Sequence, residues 1–119
     1  ARVISRDHSI ALAKALRDRV IAGPGQSDRA LRQAAAERAA GGAAMAEPYD
    51  TLARSIGDDA AYRVTNGQVA SVLQAAGSEK DAYEIIAASA VGAALLRWQQ
   101  AIKALDEAKN APAGNRPRR

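Results

Sequence analysis

The chain has 119 residues, enough for one domain, and a net charge of +4. It has one histidine and no cysteine, which excludes disulfides, thiol redox cycling and thiolate metal sites and argues against a redox or metal-dependent enzyme. There is no Phe, one Trp and three Tyr among the 48% of hydrophobic residues, so the apolar fraction rests largely on alanine, which favours helices but buries little area.

Such a chain makes helices easily and a strong monomeric core with difficulty. Close packing through small side chains, or burial against another chain, would supply the difference, which points to an oligomer or a subunit. The charge is unevenly placed. Residues 1–38 carry eight basic and four acidic side chains, and residues 39–108 carry five and nine. The body is therefore neutral, with a basic front and an acidic back, and the excess lies in the tail. A nucleic-acid module concentrates positive charge on a folded face, so nucleic acid is not the expected partner. Association with itself or with another protein subunit suits a polarised neutral body better.

Five helices are predicted. The first runs from about Asp7, its candidate N-cap, to Ala22, with a stripe of Ile10, Leu12, Leu16, Val20 and Ile21. Gly23-Pro24-Gly25 stops it. Ser27 or Asp28 caps a second helix that ends at Gly41-Gly42. Leu31 and alanines form its apolar face, so it is expected to be the least securely packed. Pro48 suits the first turn of a third helix ending at Gly57. Thr65 and Gln68 have capping-box spacing and open a fourth helix, closed by Gly77 at its C′ position. Ser78 caps a long fifth helix running to about Lys109. Its apolar run, Ile85 to Leu96, falls short of the roughly 20 residues that span a bilayer and reads as a buried helix. In the same helix Val91, Leu95, Trp98, Ile102 and Leu105 follow 4-3-4-3 spacing, a packing seam and the candidate interface. The expected fold is all-α: a single bundle over residues 1–109 with a disordered basic tail from 110 to 119.

Catalytic and metal-ligating groups are not evident. His8 stands near the chain start with no ligand set beside it, and reads as a solvent-facing residue. Asp58-Asp59 and Asp106-Glu107 are neighbours that point in different directions on a helix, and read as surface or helix-end charge. Gly23-Pro24-Gly25 lacks both the P-loop and dinucleotide-binding patterns and follows no strand. Glu84 reads as a boundary residue paired with a neighbouring arginine, with desolvation expected to raise its pKa. Trp98 reads as core or interface packing. No catalytic residue, metal or cofactor is expected.

Three segments carry a family resemblance: Ala61-Tyr-Arg-Val-Thr-Asn-Gly-Gln-Val69, Leu73-Gln-Ala-Ala-Gly77-Ser-Glu-Lys-Asp-Ala-Tyr-Glu84 and Ala87-Ala-Ser-Ala-Val-Gly-Ala93. With Leu16-Arg-Asp-Arg-Val20, Gly23-Pro-Gly25, Asp28-Arg-Ala-Leu-Arg32 and Ala34-Ala-Ala36, the chain resembles a short bacterial branch of the alkylhydroperoxidase D-like, carboxymuconolactone decarboxylase-like superfamily. The resemblance implies an all-α bundle that packs into oligomers. Active members carry a CxxC motif followed four residues later by His, near a Glu. The corresponding positions here are Tyr62, Thr65 and Val69, which implies that thiol peroxidase activity is absent and weakens the decarboxylase reading.

The expected function is that of a non-catalytic, self-associating or accessory subunit. The alternative is a small-molecule binder or enzyme with a repurposed pocket between the fourth and fifth helices, lined by Tyr62, Arg63, Tyr83, Glu84 and Arg97. The expected compartment is the cytoplasm, with a leader removed before Ala1 as the other possibility.

Overall fold

Helix-breaking and capping residues divide the chain into α1 (Arg6–Val20), α2 (Arg29–Ala39), α3 (Tyr49–Gly57), α4 (Asn66–Ala76) and α5 (Glu79–Asn110). The computed structural model describes residues 6–58 and 64–110, and among them there is no strand. The fold is all-α, a helical bundle with a long C-terminal helix. Residues 111–119 of the expected tail lie outside the described residues, and Asn110 belongs to α5.

The helix ends follow local chemistry. Asp28, not Ser27, caps α2: its carboxylate accepts from the Ala30 amide at 3.0 Å. Thr65 and Gln68 form the expected capping box, with the Gln68 amide donating to Thr65 Oγ1 at 3.1 Å and the Thr65 amide donating to Gln68 Oε1 at 2.9 Å. Gly77 ends α4 at φ 85°, a left-handed conformation that costs glycine little. Ser78 caps α5, its hydroxyl accepting from the Asp81 amide at 3.1 Å. Pro48 precedes α3 instead of forming its first turn. The first-turn Thr51 amide is met by the Glu47 carboxylate at 3.0 Å. Asp7 is the second helical residue of α1 and not its cap.

At 32 residues α5 is about 48 Å long. It sets the long axis of a molecule measuring 56 × 29 × 27 Å, and the other four helices all pack on it. Three small core clusters follow its length. Leu52, Val72 and Ala82 join α3, α4 and α5; Ala39, Ala53 and Ala93 join α2, α3 and α5; Ile21, Ala36, Ala88 and Leu95 bring in the end of α1. By length and composition α5 could cross a membrane. Its N-terminal two-thirds is instead the spine of the bundle, burying Ala82, Ile85, Ala88, Ser89, Gly92, Ala93 and Leu95.

The expectation of a loosely packed α2 is overturned. It is the main partner of α5 and buries Arg32, Ala35, Ala36 and Ala39. The small side chains are what permit this. Gly92 of α5 lies directly on the Ala36 backbone, and Gly57 of α3 lies on that of Ala39. Backbones that close leave no room for a Cβ, so dispersion contacts replace the area that larger side chains would bury.

Candidate functional site

Two polar clusters and one apolar face stand out. The first cluster is built on Glu84, in the second turn of α5. Its Oε1 accepts from the Ser27 amide at 2.7 Å and the Ser27 hydroxyl at 2.6 Å, and its Oε2 accepts from the Gln26 amide at 3.1 Å. Arg32 of α2 stands 3.7 Å away and is itself 2% exposed. The buried guanidinium is satisfied by the loop between α1 and α2, donating to the carbonyls of Ser27 at 2.7 Å, Ile21 at 3.3 Å and Gly23. Gln26 adds a bond from Nε2 to Ser78 Oγ at 3.1 Å. Gly25 lies close against this pair: a Cβ there would stand 2.8 Å from Arg32 Nη1 and 3.0 Å from Glu84 Oε1.

The expected upward pKa shift of Glu84 is reversed. Hydrogen bonds from the Ser27 hydroxyl and amide, then the Gln26 amide, outweigh desolvation and hold the carboxyl down at about 2. A carboxylate so fully engaged stays ionised near neutral pH and is poorly suited to proton transfer. It clamps the loop to α5. Its arginine partner is Arg32 of α2, distant in sequence, and not a neighbouring arginine as expected.

The second cluster centres on Asp50 of α3, which is 7% exposed. It accepts from Arg38 Nε at 2.7 Å, the Met45 amide at 3.0 Å and Arg54 Nε at 3.1 Å. Arg38 also donates to the Gly42 carbonyl at 2.9 Å. The Met45 amide bond, with Arg38 and Arg54, lowers the Asp50 pKa against the opposing effect of burial. This cluster fastens α2, the following loop and α3.

The other candidate pocket residues are dispersed. Arg97 donates from Nη2 to the Gly57 and Asp58 carbonyls at 2.8 and 3.0 Å, closing the C-terminus of α3. It lies thirteen positions from Glu84 on one straight helix, about 20 Å away. Tyr83 is 71% exposed. Tyr62, Arg63 and Asp59 lie outside the described residues. His8 is exposed. Among the described residues no group of three or more His, Cys, Asp or Glu could hold a metal ion.

The apolar face lies on α1 and the C-terminal part of α5. Val91 is half-buried and Leu95 buried against the Ile21 cluster. Further along the same seam Trp98 and Leu105 are exposed and Ile102 is half-buried. From Arg97 to Asn110 no residue is buried, and no described side chain of α1 is buried. Ile10, Leu12 and Leu16 of α1 are all exposed. Between the two helices runs a groove of about 720 Å³, whose floor includes Ile10, Ala13, Leu95, Trp98 and Ile102. Sequence periodicity identified the seam. Where its burial stops depends on the lengths of the covering helices, which periodicity does not report.

Comparison with protein-family models, curated proteins and solved structures finds no match for this chain.

Proposed function

We propose that this chain is a non-catalytic helical protein that acts by association, as a self-associating or accessory subunit. One observation carries the reading: apolar spacing on α5 continues through Trp98, Ile102 and Leu105 after burial by its own chain has ended, beside an α1 with no described side chain buried. A 15-residue helix is marginal alone in water, and an apolar face of this kind marks a contact surface. The two prominent carboxylates support the non-catalytic part of the reading, because Glu84 and Asp50 are engaged in fastening loops to helices. Placement in the cytoplasm and descent from the alkylhydroperoxidase D-like superfamily belong to the same proposal. The support for that descent is the set of sequence segments quoted above and the order of five helices.

Native mass spectrometry of untagged protein from its source tests this. The expected species is a multiple of the chain mass or a complex with another chain. A lone monomer overturns the proposal. A stoichiometric small molecule on a monomer would favour the ligand-binding alternative in its place.

A further inference from the structure

We infer that Asn66 is a site of spontaneous covalent modification: its side chain cyclises onto the Gly67 amide and is hydrolysed to aspartate or isoaspartate, at a rate set by opening of the Thr65–Gln68 capping box. This goes beyond the association proposed above and does not depend on it.

The residues supply the chemistry. The chain has three asparagines, and Asn66 alone is followed by glycine. A Cβ on the following residue crowds the ring closure, and glycine also reaches backbone conformations closed to other residues. Asn66 and Gly67 are both exposed, and the Asn66 side chain bonds to no described residue. There is space beside Gly67, where a Cβ would meet only Thr65 Oγ1, at 3.8 Å. The Gly67 amide stands in the first turn of α4, whose amides lack intrahelical acceptors. The capping oxygen, Thr65 Oγ1, accepts from Gln68.

The reaction needs only water. The Gly67 nitrogen, its proton lost to solvent base, attacks Asn66 Cγ. The Cγ–Nδ2 bond breaks, and ammonia leaves with a proton from water, closing a five-membered imide. Water then opens the ring. Cleavage at Cγ gives aspartate, and cleavage at the main-chain carbonyl carbon gives isoaspartate, whose backbone runs through the former side chain.

The cap is the gate. Helical backbone at Asn66 does not place the Gly67 nitrogen on Cγ, so the first turn of α4 has to open. Opening breaks the Gln68 amide bond to Thr65 Oγ1 at 3.1 Å and the Thr65 amide bond to Gln68 Oε1 at 2.9 Å. It also loosens Gln68 Nε2 from Ser55 Oγ of α3, 3.0 Å away. Helix ends are where local opening is easiest. The two products differ in effect. Aspartate at position 66 puts negative charge at the positive end of α4 and is tolerated. Isoaspartate adds a main-chain methylene between Thr65 and Gln68, so the box loses its register and α4 loses a tie to α3.

The test incubates the full chain in heavy-oxygen water at mildly alkaline pH, with peptide mapping by mass spectrometry. Product formed during incubation carries solvent oxygen. Wild type is expected to accumulate labelled aspartate and isoaspartate at position 66. Gly67→Ala should be modified about tenfold more slowly. Thr65→Ala, which removes the cap, should be modified about fivefold faster, and Thr65→Ser, which keeps it, at the wild-type rate. Circular dichroism checks that each variant keeps wild-type helicity. A wild-type Asn66 that takes up no label, or a Gly67→Ala rate equal to wild type, overturns the site. Equal rates in wild type and Thr65→Ala overturn the gate.

Discussion

Replacing Gly92 by alanine probes the contact on which the bundle is built. In an exposed helix interior this substitution stabilises by about 1 kcal/mol, through lower backbone entropy in the unfolded chain and better helix propensity. At Gly92 the new Cβ would run into the backbone of Ala36, at its carbonyl oxygen, carbonyl carbon and Cα. A flexible side chain could move aside; a helix backbone moves only if α2 shifts as a body. Overpacking of this kind costs about 1–3 kcal/mol, and here the shift would also disturb Arg32 and its loop. Set against the propensity gain, the net effect is a loss of up to about 2 kcal/mol, with the melting temperature falling about 4–8 °C per kcal/mol. Gly67→Ala is the matched control, because a Cβ there meets only Thr65 Oγ1 at 3.8 Å. Thermal and urea unfolding followed by circular dichroism, at one fixed protein concentration, should show Gly92→Ala destabilised and Gly67→Ala unchanged or stabilised. A stabilised Gly92→Ala would refute the backbone contact between α2 and α5.

Glu84 makes stability depend on acid. Its carboxyl lies at about 2 in the folded chain, below its ordinary value of 4.5, so its contribution is complete above about pH 4.5 and is lost as pH falls towards 2. Urea unfolding across that window should show a smaller acid-induced loss for Glu84→Gln than for wild type, and a lower midpoint for the variant at pH 7. Equal acid dependence in the two proteins would contradict the clamp. Gly77→Ala tests a different principle: its φ is 85° and nothing lies within 4 Å of the new Cβ, so the cost is conformational alone. A loss of about 1–2 kcal/mol is expected in the same unfolding assay, and no loss would contradict the left-handed cap.

The five helices were legible because their ends are written in local chemistry. Gly23-Pro24-Gly25, the Thr65–Gln68 box and Gly77 each act within a few residues of their own position. The packing of α2 was not legible. Contact between glycine and alanine backbones leaves no periodic pattern of large side chains, so an Ala-rich face looks weak in sequence while being closely packed in space. Glu84 was recognised as a boundary residue with an arginine partner, but its pKa was misjudged. Its partners are the hydroxyl and amide of Ser27 and the amide of Gln26, 57 and 58 residues earlier, and contacts so distant along the chain have no local sequence signature. Arg97 was read as lining a pocket with Glu84, whereas it binds the carbonyls at the end of α3, which are equally distant in sequence. The seam from Val91 to Leu105 was visible as spacing. The change from buried Leu95 to exposed Trp98 was not, because it arises from where α2 and α3 sit along α5.

The face on α1 and α5 is proposed to be buried by association, and the single tryptophan of the chain stands on that face. Trp98 is 42% exposed in the isolated chain. Its emission maximum, followed by dilution in parallel with sedimentation, reports burial of this one site. A blue-shifted maximum is expected in the assembled species, moving to the red as the assembly dissociates. An emission maximum that stays constant while the assembly forms and dissociates would place the contact elsewhere and contradict the account.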